Sequence, residues 1–285
     1  MTDPFLLALA FLVGACIGSF LNVCVSRLPL ELSVVSPRSR CPRCERPIAW
    51  YDNIPIASWL LLRGRCRGCA LPISPMYPIV ELVVALGWMG AMWAYGPSFT
   101  ALRVAVLGTV LLGIALTDAR HYLIPDGFTV FGFAFVLVTA VVGVFLGGES
   151  PFAGPWESLI GACAGAGAIA IAGWLGEWAL KREAMGFGDV TLMAVVGGAL
   201  GPGRALLVIF LGALIGAVAF LAVVYPLVRI RGVRQSGGQL DLGLTQAEPE
   251  LPEVPFGVFL APAALLTLLW GDALVEWYLR AVTTL

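Results

Sequence analysis

The chain is predicted to be an all-α, polytopic membrane protein of about eight transmembrane helices with one small aqueous loop domain. Three observations predict this. Hydrophobic residues make up 59% of the 285 residues and charged residues only 12%, with a mean hydropathy of +0.92, whereas soluble domains carry about 25% charged residues. Apolar runs near the roughly 20 residues needed to span a bilayer recur along the whole chain. Lysine and arginine are bunched: counting crossings puts 14 of the 17 in loops on one side, which the positive-inside rule makes the cytoplasmic side. The net charge of −1 by itself says nothing about nucleic acid, and none is expected as a partner.

The runs follow in order. The first, 5–25, has no basic region before it and no clear cleavage signal, so it reads as a retained helix rather than a signal peptide. Gly14, Gly18 and Ser19 in it suit close helix packing, and Asn22 ends it as a hydrogen-bonding group. Residues 27–76 form the aqueous loop domain. A second run covers 77–95, with Glu81 one turn in, and a third covers 99–117 and stops at Asp118. The fourth, 126–146, opens with Pro125-Asp126, which are ordinary helix-start residues. The fifth, 157–180, carries Gly161, Gly165 and Gly167 for close packing, with Glu177 near its end. The sixth, 189–201, is short and glycine-rich. Gly201-Pro202-Gly203 separates it from the seventh, 204–228, and marks a tight reversal. The stretch 230–254 is polar, with Gly237-Gly238, Pro249 and Pro252, and reads as a flexible cytoplasmic loop. The eighth run covers 256–280 and leaves both chain ends outside. Residues 1–26, 27–76 and 77–285 thus form a first helix, a loop domain and a larger membrane domain.

The loop holds Cys41-Pro42-Arg43-Cys44 and Cys66-Arg67-Gly68-Cys69. Two C-x2-C pairs at this separation have zinc-ribbon spacing. Each pair can form a knuckle that points two sulfurs at one ion, and two knuckles close a tetrahedral, structural site. A cytoplasmic loop is reducing, which favours metal over disulfides. The loop is also too short for a large core, so metal binding would supply folding energy. Free thiols or a redox pair are the alternatives. Cys16, Cys24 and Cys163 lie in apolar runs and read as small buried hydrophobes. Trp50, Tyr51 and Trp59 lie between the knuckles and are expected to pack the ribbon or rest at the membrane interface.

Two carboxylates stand out. An ionisable group in a membrane span is a functional-site hypothesis. Asp118 and Asp189 flank two crossings and so share one face. Asp189 follows Gly186 and Gly188, near a helix N-terminus that favours its anion, and capping is an equal alternative for it. Asp118 lies at the C-terminal end of its helix, against that preference. A pair so placed is suited to acid–base chemistry. Asp126 reads as structural, and His121 as a loop residue with no catalytic partner. Glu81 and Glu177 can snorkel or pair with arginines.

Together these residues resemble the prepilin peptidases, the bifunctional type IV leader peptidase and N-methyltransferase family. Gly18-Ser19-Phe20-Leu21-Asn22-Val23 looks like the family's first-helix signature. The two C-x2-C pairs, with Asp52-Asn53-Ile54-Pro55 between them, look like its zinc loop, and Tyr77-Pro78-Ile79-Val80-Glu81-Leu82 resembles the start of its second helix. Thr117-Asp118 with Leu123-Ile124-Pro125-Asp126 looks like its first aspartate motif. Glu183-Ala184-Met185-Gly186-Phe187-Gly188-Asp189 is similar to its second, of the Gly-x-Gly-Asp type, and Pro255-Phe256-Gly257 resembles the start of its last helix. Thr191 departs from the pattern, standing where many members have lysine.

The resemblance implies a membrane aspartic endopeptidase of the bacterial inner membrane with Asp118 and Asp189 as catalytic pair. It implies type IV prepilins and type II secretion pseudopilins as substrates, cut after a glycine at the cytoplasmic face. It also implies structural zinc on Cys41, Cys44, Cys66 and Cys69, and methylation of the new N-terminus with S-adenosylmethionine. No Rossmann-type glycine fingerprint is present for that cofactor; Asn22 and Glu81 are the candidates near the loop domain. Two other readings stay open: a peptidase-only relative, and a proton-coupled transporter or assembly factor with a zinc-ribbon loop. No convincing internal repeat of the transporter kind is visible.

Overall fold

The computed structural model describes residues 3–146, 151–181, 185–226 and 255–283. Among the described residues there is no strand; two isolated bridges, Arg40 with Pro47 and Arg65 with Pro72, are the only extended pairings. The helices are α1 (Pro4–Arg27), α2 (Ala57–Leu61), α3 (Met76–Tyr95), α4 (Phe99–His121), α5 (Asp126–Leu146), α6 (Pro155–Leu180), α7 (Phe187–Leu200), α8 (Pro202–Ala219) and α9 (Gly257–Thr283). A π-helical turn, Phe220–Val224, continues α8. The predicted runs map onto these helices within a few residues, except that α8 ends in that turn. The stretch 230–254 lies outside the described residues, as do Arg182, Arg229, Arg231 and Arg234.

Among the described residues seven helices are long and apolar enough to cross a membrane: all except α2 and α7. The sixth predicted crossing, α7, has 14 residues, about 21 Å at the helical rise, short of the roughly 30 Å hydrocarbon core. The reversal after it is as expected. Gly201, at φ +82°, ends α7 and caps α8 in one step, a conformation that favours glycine.

Small residues set the closest crossings. A Cβ on Gly18 of α1 would stand 2.7 Å from the Glu81 Cα of α3, and one on Gly14 would stand 2.8 Å from the Ala85 Cα. Gly161 of α6 and Gly197 of α7 lie backbone against backbone, and Gly165 meets the Met193 carbonyl. These helices associate through backbone proximity rather than large side chains. Gly167 differs from expectation: nothing lies within 4 Å of its Cβ position. Cys24 is buried, but Cys16 and Cys163 are exposed and so do not read as core residues.

The core lies where α4 and α7 each pack on α9, through Leu107, Ile114, Met193, Val196, Leu260 and Leu268. One end of the bundle gathers Arg103, stacked 3.9 Å from the Phe152 ring centroid, and Arg204, which donates to the Pro151 carbonyl at 2.6 Å. The other end gathers the C-terminal ends of α1 and α4 and the N-terminal ends of α5, α7 and α9. There Gly127 packs on Leu28, Gly188 on Ile124 and Gly257 on Asp118.

Candidate active site and metal centre

The two aspartates meet at that second end. Asp118 sits in the last turn of α4, where the Tyr122 N–H closes the helix onto the Asp118 carbonyl at 2.9 Å. Asp189 sits in the first turn of α7. Their residues are only 6% and 8% exposed. One side chain adjoins both: Ile124 packs on Gly188, the residue before Asp189, and on Gly257, which lies against Asp118. The α9 backbone completes the arrangement, the Val258 N–H donating to Asp118 Oδ2 at 3.0 Å. A Cβ on Gly257 would lie 2.7 Å from that same oxygen, so position 257 has no room for a side chain. Ile124 wedges the site, packing against both Gly188 and Gly257. The contribution of α9 was not legible in the chain: Pro255-Phe256-Gly257 carries no chemistry of its own, and Val258 lies 140 positions from Asp118.

The other candidates lie elsewhere. Asp126 opens α5 and is exposed, as are His121 and Glu177. The Asn22 amide donates to the Tyr77 carbonyl at 3.1 Å and so pins α1 to the start of α3. The buried Glu81 accepts the Ile56 N–H on Oε2 at 2.7 Å. Ile56 holds φ +61°, a conformation that costs a β-branched residue energy unless its surroundings enforce it. Glu81 supplies that enforcement and docks the 50–58 turn on the bundle.

The four loop cysteines come together. The sulfurs of Cys41, Cys44, Cys66 and Cys69 all lie within 4.8 Å of one another, with Cys41 and Cys69 3.9 Å apart. Thiolates on a tetrahedral zinc, with Zn–S bonds of about 2.3 Å, would stand at about that spacing. The knuckles are built alike. The Cys41 N–H donates to the Arg46 carbonyl and the Glu45 N–H to the Cys41 carbonyl; Cys66, Leu71 and Ala70 repeat the pattern. Glu45 and Ala70 both turn through positive φ, at 54° and 55°. A sequence repeat underlies this, R-C-x-x-C-x-x-P-I at 40–48 and again at 65–73. That repeat was readable in the chain and adds to the cysteine spacing.

The knuckle backbones favour thiolates. The Cys44 and Arg43 N–H groups bring the Cys41 thiol down to about 6, and the Cys69 and Gly68 N–H groups lower Cys66. At Cys69 the Leu71 N–H acts in the same direction, but desolvation and the three neighbouring sulfurs outweigh it and push that thiol up to about 11. Four thiolates at this spacing need a cation among them, and the donor set fits a thiophilic one.

The fold and site define a multi-pass helical membrane protein that carries a buried carboxylate pair and a four-thiol loop domain beside its helix bundle. Comparison with known proteins gives that class a family. A model of the bacterial peptidase A24 N-terminal domain matches residues 12–95, and a model of the type IV leader peptidase family matches residues 105–221. The prepilin leader peptidase/N-methyltransferase of Aeromonas hydrophila is 35% identical over 300 residues, covering 95% of this chain and 93% of its own length. That of Pseudomonas aeruginosa is 32% identical over 292 residues, covering 94% and 92%. That of Myxococcus xanthus is 39% identical over 224 residues; the match spans 77% of this chain and 64% of that relative. The chain belongs to the type IV leader peptidase family. No solved structure matches it.

Proposed function

We propose that Asp118 and Asp189 are the pair with which this chain, a bacterial inner-membrane enzyme, cleaves the leader peptides of type IV prepilins, and that the cysteine loop serves the N-methylation that follows. The observation that carries this reading is the gathering of two buried carboxylates from α4 and α7 at one end of the bundle, where glycine backbone packs closely around them. The basic loops assign that end to the cytoplasm. Pseudopilins of type II secretion present the same leader, glycine and apolar helix, and fall in the same substrate class.

Two carboxylates this close cannot both ionise cheaply, so the pair shares one proton. The Val258 N–H and the positive end of α9 favour the anion on Asp118. Asp189 also lies at the positive end of a helix, α7; the direct bond from the Val258 N–H is what assigns Asp118 as the base and Asp189 as the proton carrier in this proposal. Water attacks the carbonyl carbon of the leader glycine and gives a proton to Asp118. Asp189 donates to the carbonyl oxygen. When the tetrahedral carbon collapses, the C–N bond breaks, the departing amine takes the proton held by Asp118, and the re-forming carbonyl returns its proton to Asp189.

Zinc fits the loop as a structural ion on Cys41, Cys44, Cys66 and Cys69. S-adenosylmethionine, when bound, supplies a methyl group to the amine that cleavage exposes. A peptidase-only enzyme is the remaining alternative, and the same assay decides it. Purified protein is incubated with a prepilin and the methyl donor, and mass spectrometry follows leader loss and a methyl addition. Asp118→Asn and Asp189→Asn are each expected to abolish cleavage in folded, inserted protein, and Asp126→Asn to retain it. Full cleavage by either of the first two removes that residue from the mechanism.

A further inference from the structure

The loop domain and the cytoplasmic half of α1 enclose a groove of about 420 Å³, within the range of small-molecule sites, roughly 300–1,000 Å³. Phe20 and Val23 of α1 form one wall; Arg38, Trp50 and Asn53 of the loop form the other. Arg27, at the end of α1, preforms it by donating to the Ser33 and Pro37 carbonyls at 2.9 and 2.8 Å. Asn22 and Glu81 do not line it. The groove is distinct from the aspartate site.

Trp50 is the informative wall. Of the two expectations, packing in the ribbon fails: Trp50 is 80% exposed and borders the groove. A chain of contacts holds it there. Tyr51 meets it edge-on, with ring centroids 5.7 Å apart. Arg67 lies over Tyr51 and grips the Asp52 carboxylate through Nε and Nη2. Arg67 is itself the residue after Cys66 in the second knuckle. The metal centre therefore positions an exposed aromatic face. In contrast, Trp59 is used internally, its Nε1 donating to the Ile73 carbonyl at 3.2 Å. The side chains of Arg38 and Asn53 make no hydrogen bond among the described residues and remain available to a ligand.

We propose that this groove binds the methyl donor, with Trp50 against its adenine and Arg38 at its carboxylate. The proposal rests on the methyltransferase reading above. An aromatic face suits a nucleobase, and a guanidinium suits a carboxylate. The groove starts on the membrane-embedded part of α1, at Cys16 and Phe20, so an amine at the head of an apolar helix can reach it along the bilayer edge. There the amine lone pair attacks the methyl carbon. The C–N bond forms, the C–S bond breaks, sulfur keeps the pair as a neutral thioether, and the surplus proton leaves to water.

The test is binding, separate from turnover. Full-length protein in nanodiscs is titrated calorimetrically with S-adenosylhomocysteine, the demethylated product. Wild type is expected to bind saturably. Trp50→Ala and Arg38→Glu are each expected to weaken binding by about tenfold or more, and Trp50→Phe to restore most of it. Metal content and thermal unfolding report whether each variant is folded. If wild type binds and methylates but Trp50→Ala and Arg38→Glu bind equally well, the groove is wrong and the methyltransferase reading stands. If wild type neither binds nor methylates, both fall.

Discussion

Replacing Gly257 by alanine adds a single methyl group and tests the aspartate geometry directly. That methyl would lie 2.7 Å from Asp118 Oδ2 and 3.0 Å from the Ile124 Cδ1. Ordinary contact begins near 3.4 Å, so the carboxylate must retreat by about 0.7 Å, a displacement of the size that costs up to about 100-fold in rate. Few other routes of relief are open. The Asp118 backbone is held by the Tyr122 N–H, and Ile124 is wedged against Gly188. The retreat also strains the bond from Val258, and a hydrogen bond to a charged group contributes about 1.5–3 kcal/mol. Gly257→Ala is therefore expected to lower kcat for prepilin cleavage by about 100-fold with little change in KM. Alanine is the better helix former, but the contact with Ile124 is expected to cost stability by about 1–3 kcal/mol, the usual size for overpacking. The assay is cleavage of a purified prepilin, with thermal unfolding as the control for structure. Gly167→Ala, where no atom lies within 4 Å, should cleave like wild type. If Gly257→Ala cleaved within about threefold of wild type, the α9 backbone would not position Asp118, and the assignment of Asp118 as base would lose its support.

Two further outcomes are expected. Purified protein should carry about one zinc per chain; Ser at Cys41, Cys44, Cys66 or Cys69 should lower metal content and destabilise the loop, with methylation suffering at least as much as cleavage. Well-folded protein without metal, or serine variants with unchanged stability and activities, would overturn this. A topology reporter inserted in the 230–254 loop should read cytoplasm, and one after Leu285 the outer side; aspartates on opposite faces would make the pair untenable.

Much of this protein was determined by its sequence alone. The bilayer accepts few backbone solutions, so apolar runs of spanning length are helices, and their boundaries agree with the observed ones within a few residues. The basic loops imply an orientation, and Cys41, Cys44, Cys66 and Cys69 declare their grouping because a knuckle is a local structure. Asp118 and Asp189 were legible because charge in an apolar run is rare.

Tertiary structure decided what depends on distant backbone. Gly257 and Val258 touch Asp118 only because α9 packs on α4, and nothing in Pro255-Phe256-Gly257 announces it. Glu81 proved to hold the Ile56 turn, and Asn22 the start of α3. Trp50 faces a groove although Trp59, nine residues on, is turned inward. Glycine meaning also split by neighbour: Gly161 and Gly165 allow backbone contact, and Gly167, two residues away, meets nothing. Periodicity and composition report which residues avoid water. They do not report which partner each one meets, because in a bundle that is set by helix rotation and crossing, and these depend on every packed face together.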